Sequence, residues 1–94
     1  MDKEELTRLV IDLIDDQFEG RRRGYATTTV ATELEKDLDC DSLDCVELAI
    51  ELEAELSRDG REILLPDQEL EAVVTVGDLV DLCARKLKAA SRYN

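Results

Sequence analysis

Cys40-Asp41-Ser42-Leu43-Asp44-Cys45-Val46-Glu47-Leu48 is the stretch on which the reading of this 94-residue chain turns. Ser42 stands just inside the start of a predicted helix, with acids on both sides and an aliphatic residue immediately after it. A hydroxyl in that position is exposed, unhindered by its own helix and close to the helix's positive pole. Such a place suits a phosphate diester. The plainer reading of a serine at a helix start is a cap that serves the fold alone.

Downstream, the helix is expected to run from Ser42 to Leu56. Val46, Ala49, Leu52 and Leu56 form one apolar face, with Leu48 and Cys45 beside it, and Leu43, Asp44, Glu47, Ile50, Glu51 and Ala54 lie on the other side. Ser57-Arg58-Asp59-Gly60 is a stop signal. Ile63-Leu64-Leu65-Pro66-Asp67 then leads into a short helix through Gln68-Glu69-Leu70. Thr75-Val76-Gly77-Asp78 has the form of a capping box and opens a last helix, striped by Leu79, Val80, Cys83 and Leu87, to about Ala90.

Upstream, Leu6, Leu9, Val10, Leu13, Ile14 and Phe18 recur at helical spacing, which predicts a first helix over Asp2–Phe18. Gly20-Arg21-Arg22-Arg23-Gly24 and Thr27-Thr28-Thr29 open a long connection that reaches residue 40 and resists regular helix. Leu34 and Leu38 tether its later half to the core, and a loop of that length in a small domain is usually functional or mobile. The arginine run at 21–23 reads as neutralisation of the chain's own acids.

The expected architecture is all-α: one domain over residues 1–94, a small four-helix bundle with a long loop between helices 1 and 2 and a short third helix. A chain of this size buries roughly 60–65% of its unfolded surface, enough for a modest core. With only Phe18, Tyr25 and Tyr93 as aromatics, that core is aliphatic. The charged N-terminal residues do not read as a secretory signal. No segment approaches the roughly 20 apolar residues of a membrane span. A net charge of −12 disfavours nucleic acid and anionic membranes and favours partners with basic patches. Three cysteines without disulfide-framework spacing suit a reduced, cytoplasmic chain.

The layout of long helix, long loop, helix opening at Asp-Ser-Leu, short helix and final helix resembles acyl carrier proteins. Asp37-Leu38-Asp39-Cys40-Asp41-Ser42-Leu43-Asp44 with Val46-Glu47-Leu48 is similar to that family's attachment motif. Leu65-Pro66-Asp67 and Val74-Thr75-Val76 are similar to the approaches to its last two helices. The likeness covers about residues 31–87. It implies that a phosphopantetheinyl transferase, using Mg²⁺ and coenzyme A, attaches 4′-phosphopantetheine to Ser42. The arm's thiol would carry acyl thioesters for a fatty-acid, specialised lipid or polyketide pathway, with the acyl chain sheltered between the second and third helices. The chain would then be no enzyme but a carrier, a monomer that docks on acyl-transferring or acyl-modifying enzymes through Asp41, Leu43, Asp44, Glu47, Ile50 and Glu53. Helical geometry independently groups Leu43, Glu47 and Ile50. Eleven acids against two bases between Ala31 and Asp59 give a local charge of −9, so those partners should be basic.

Two features depart from the family pattern. Asp39 stands where glycine is usual, in a place where left-handed backbone is expected, which Asp tolerates better than most residues. The connection from Leu56 to Pro66 is several residues longer than in common fatty-acid carriers and is expected to border the acyl-chain entrance.

Other chemistries fare worse. With no histidine, Cys-His and Ser-His pairs are excluded. Cys40 and Cys45 flank Ser42 and read as core filler, because nothing in their spacing supports a metal or redox site. Asp37, Asp39 and Asp41 alternate like a calcium loop, but Ser42 stands where glycine is needed and Leu48 where glutamate is needed. No metal site is expected. The alternative to a carrier is an acidic adaptor or nucleic-acid mimic without a cofactor, which would not need the Ser42 hydroxyl.

Overall fold

Leu6, Val10, Ile14 and Phe18 form a stripe at spacings of four, and all four are essentially removed from solvent. Burying such a stripe, at roughly 1.5–3 kcal/mol per large side chain, is what holds a helix of this length in place. The computed structural model describes residues 1–19, 27–58 and 60–91. Its helices are α1 (Lys3–Gln17), α2 (Leu34–Leu38), α3 (Ser42–Leu56), α4 (Asp67–Leu70) and α5 (Val76–Ser91). The arginine run 21–23, with the neighbouring glycines and Tyr25, lies outside the described residues, as do Asp59 and Tyr93.

α1 is the central element and packs against both α3 and α5. It starts on Asp2, whose Oδ1 accepts from the Glu5 N–H at 2.8 Å. From α5 the buried contributions are Val76, Leu79, Val80, Leu82, Cys83 and Leu87, and from α3 they are Leu48, Ala49, Leu52 and Leu56. The all-α bundle expected from the sequence is therefore the observed architecture, with one helix added.

That addition is α2, which falls inside the connection expected to be irregular. Five residues cannot sustain a helix alone. This one is held because Leu34 and Leu38, one turn apart, are both buried. Tertiary hydrogen bonds fix it further. The Leu34 N–H donates to Val74 O at 3.0 Å, Val76 N–H to Thr32 O at 2.9 Å and Gly77 N–H to Val30 O at 2.8 Å. Glu33 and Thr75 form a single antiparallel bridge between these segments. Earlier in the connection, buried Thr28 donates its hydroxyl to Asp15 Oδ1 at 2.7 Å, which moors it to α1.

Asp39 ends α2 with φ 57° and ψ 38°, the left-handed backbone anticipated for it. The reversal lets the Cys40 N–H reach Leu34 O at 3.0 Å and delivers the chain directly to the start of α3.

Candidate functional site

α3 begins on a complete capping box. Asp41 Oδ1 accepts from the Asp44 N–H at 2.8 Å, and Asp44 Oδ2 accepts from the Asp41 N–H at 3.2 Å. Two of the helix's unpaired N–H donors are satisfied in this way. From α1, Gln17 Nε2 donates to Asp44 O at 2.8 Å and pins the first turn to the body of the bundle. Ser42 is thus the first residue of a rigidly held helix. It is exposed, and its hydroxyl makes no hydrogen bond among the described residues. Asp41 takes the capping role that the plainer reading gave to the serine, which leaves the Ser42 hydroxyl free.

The docking residues expected from the sequence divide on inspection. At 3.6 residues per turn, Leu43, Glu47 and Ile50 lie roughly 140–180° from the buried Leu52. All three are exposed, Leu43 by 64% and Ile50 by 58%. Asp44 lies only about 80° from Leu52 by the same geometry. It is 7% exposed and faces the fold, so its carboxylate belongs to the cap and not to the outer face. Asp41 is exposed, although one oxygen is committed to the cap. Glu53 is half-buried, and its Oε2 accepts from the Leu65 N–H at 2.7 Å, which fastens the return of the long 57–66 connection. Val46, expected in the core, is 39% exposed, and Leu48 takes the buried place because it stands one turn before Leu52.

Beside Ser42 lies a groove of about 890 Å³, within the roughly 300–1,000 Å³ range of small-molecule sites. Its apolar wall includes Leu34, Val46, Ala49, Leu70, Val73 and Leu79, so α2, α3, α4, α5 and the segment before α5 all contribute. Ser42 and Cys45 are also part of the lining. Residues 57–66 were expected to border this space, but none of the described residues among them lines it. Their anchors, Ile63 and Leu65, turn into the core, while Leu64 between them is exposed.

Cys40 and Cys45 are not independent core filler. Their sulfurs are 3.1 Å apart. Burial pushes the Cys40 thiol well above the ordinary range, and the neighbouring Cys45 adds to the effect. A signal for the pairing existed in the sequence. If Asp41 is the cap, Cys40 precedes it and Cys45 is the fourth helical residue, the two positions whose side chains meet in a hydrophobic staple. Cys83, deep in the core, is pushed up to about 12 by burial alone. Among the described residues no group of three His, Cys, Asp or Glu side chains could hold a metal ion, and no helix is long and apolar enough to cross a membrane.

No family model matches the chain. Individual curated proteins do. It is 42% identical to the acyl carrier protein of Lactobacillus acidophilus over 80 residues, covering 85% of this chain and 90% of that one. It is 39% identical to that of Rubrobacter xylanophilus over 83 residues, 86% and 90% of the two chains. The acyl carrier protein of Porphyromonas gingivalis is 32% identical over 84 residues, 89% of this chain and 97% of its own.

Proposed function

The chain belongs to the acyl carrier protein family, and on that premise we propose that it carries acyl groups as thioesters on a 4′-phosphopantetheine arm joined to the Ser42 oxygen. The observation that carries this reading is the free, exposed hydroxyl of Ser42 on a capped, pinned first turn beside a groove with an apolar wall. The residues present fit the arm. Ser42 offers an unhindered oxygen, the α3 N-terminus favours a phosphate, and the groove accepts an aliphatic chain. When bound, the arm supplies a terminal thiol for thioester chemistry.

The work of the protein's own residues is positional. Asp41 and Asp44 hold the first turn, and Gln17 ties it to α1. Leu34, Ala49, Leu70 and Val73 give an acyl chain an apolar wall out of water. The chain catalyses nothing in this reading, and it acts in the cytoplasm as a monomer. Its partners are a phosphopantetheinyl transferase and acyl-transferring or acyl-modifying enzymes of a fatty-acid, specialised lipid or polyketide pathway. They dock on the outer face of α3, where exposed Leu43 and Ile50 sit among the acids Glu47 and Glu51. Aliphatics set among like charges suit a basic patch with shallow apolar sockets.

Intact mass after incubation with coenzyme A, Mg²⁺ and a promiscuous transferase tests the attachment. One phosphopantetheine adduct is expected on wild type and none on Ser42→Ala, with the helical circular dichroism unchanged. An unmodified, folded wild type would favour the cofactor-free adaptor. The docking face has its own test. Glu47→Lys should slow transfer about 2–10-fold at low salt, with the gap closing as ionic strength rises. Equal rates at low salt would move the docking surface elsewhere.

A further inference from the structure

We propose that Cys40 and Cys45 form a reversible intramolecular disulfide that closes across the turn bearing Ser42. The pairing follows from the way α3 starts. With Asp41 as cap, Cys40 immediately before it and Cys45 at the fourth helical position hold the two staple positions, where side chains are brought into contact across the first turn. Ordinary staples are aliphatic. Here both members carry sulfur, and the sulfurs lie 3.1 Å apart, about 1 Å beyond a covalent S–S bond of roughly 2.05 Å. The backbone on both sides is already restrained. The Cys40 N–H is bonded to Leu34 O, and the Cys45 N–H to Asp41 O at 3.0 Å.

The two thiols differ in access, which sets the order of events. Both line the groove, but Cys45 is half-buried whereas Cys40 is buried, its Sγ 3.7 Å from Asp41 O. A small disulfide such as oxidised glutathione is the oxidant. The Cys45 sulfur attacks one glutathione sulfur, the glutathione S–S bond breaks, and one glutathione leaves as a thiolate that takes up the Cys45 proton. The Cys40 sulfur then attacks the Cys45 sulfur of the mixed disulfide. The protein S–S bond forms, the second glutathione leaves, and it takes up the Cys40 proton. Two protein thiols are oxidised and one glutathione disulfide is reduced to two thiols. The Cys40 and Cys45 sulfurs are already in contact, so this second step joins immediate neighbours. Cys83 has no such neighbour and stays a buried thiol throughout.

The experiment equilibrates the full chain in glutathione buffers stepped from reducing to oxidising. The remaining thiols are then alkylated after unfolding, and intact mass is measured. Wild type is expected to lose two hydrogens and retain one alkylatable cysteine, Cys83. Cys40→Val should instead keep a glutathione adduct on Cys45, and Cys45→Val should do neither, both apolar replacements preserving the staple. Running the series on Ser42→Ala excludes any arm thiol and makes the result independent of what Ser42 carries. If folded wild type keeps both thiols alkylatable in the most oxidising buffer, or stalls at the Cys45 adduct, the proposal is wrong. In denaturing urea, closure should need a more oxidising buffer than in the native protein. Equal midpoints would show that the fold does not pair these thiols.

Discussion

Two helices of this protein start with the same chemistry and come to different ends. α3 opens on Asp41-Ser42-Leu43-Asp44 and α5 on Thr75-Val76-Gly77-Asp78. Each has a polar cap, and each has an aspartate three residues on whose carboxylate reaches back. Thr75 Oγ1 accepts from the Asp78 N–H at 3.1 Å, and Asp78 Oδ2 accepts from the Thr75 and Val74 N–H groups at 3.0 Å. The difference lies between the caps. In α3 those two positions are Ser42 and Leu43, both facing solvent. In α5 they are Val76, with no exposed surface, and Gly77, where an added Cβ would stand 3.1 Å from Val30 O. The segment leading into α2 lies over the α5 start and leaves the α3 start open. A capping box makes a helix begin; what covers the first turn decides whether that beginning is a site or a piece of core.

The comparison can be broken most forcefully at Val76. Val76→Ser gives α5 a serine at the position Ser42 holds in α3, but inside the core. It should lower stability by roughly 2–4 kcal/mol in urea titrations, through the lost packing and a buried hydroxyl. It should also gain no second phosphopantetheine adduct under the conditions that modify Ser42. A doubly modified protein would mean that cover is not what separates the two starts. A smaller effect is expected from Asp41→Ala, about 1 kcal/mol by the same titration, since a cap is lost at the surface. Modification of Ser42 should slow in that variant, because its first turn is less firmly held; unchanged kinetics would show that the cap serves the fold alone.

The subtlest test is pH. Hydrogen bonds from the Thr75 and Val74 N–H groups hold the Asp78 carboxyl below its ordinary value of 3.8. With the folded value the lower one, its stabilisation is full above the unfolded value and drains away as pH falls through the folded one. Wild type minus Asp78→Asn should therefore shrink in melting temperature between about pH 4 and pH 2. A constant difference across that range would detach the α5 cap from charge.

Much of this was open to reading residue by residue. The α1 stripe from Leu6 to Phe18, the stop after Leu56 and the start of α5 all rest on local periodicity and turn chemistry, and all stand in the structure. The left-handed Asp39 was legible only through the family likeness, which has glycine in that place; Asp tolerates that backbone better than most residues. α2 was hidden, since its five residues carry too little local preference to declare a helix, and only burial of Leu34 and Leu38 pays for its order. Asp44 was misplaced for a related reason: a charged residue in a run of acids reads as outward-facing, yet here the cap shelters it. The cysteine pair needed one further step, from the cap to the staple positions beside it.

By itself the sequence determined where α1, α3 and α5 begin and end, the acidic outer face of α3 and the candidacy of Ser42, because caps, periodicity and charge act over a few neighbouring residues. Tertiary structure alone decided that α2 forms, that a groove opens beside Ser42 and that the α5 start is covered. Each of these depends on segments far apart in the chain burying one another's apolar surface, and no local pattern records which of them will touch.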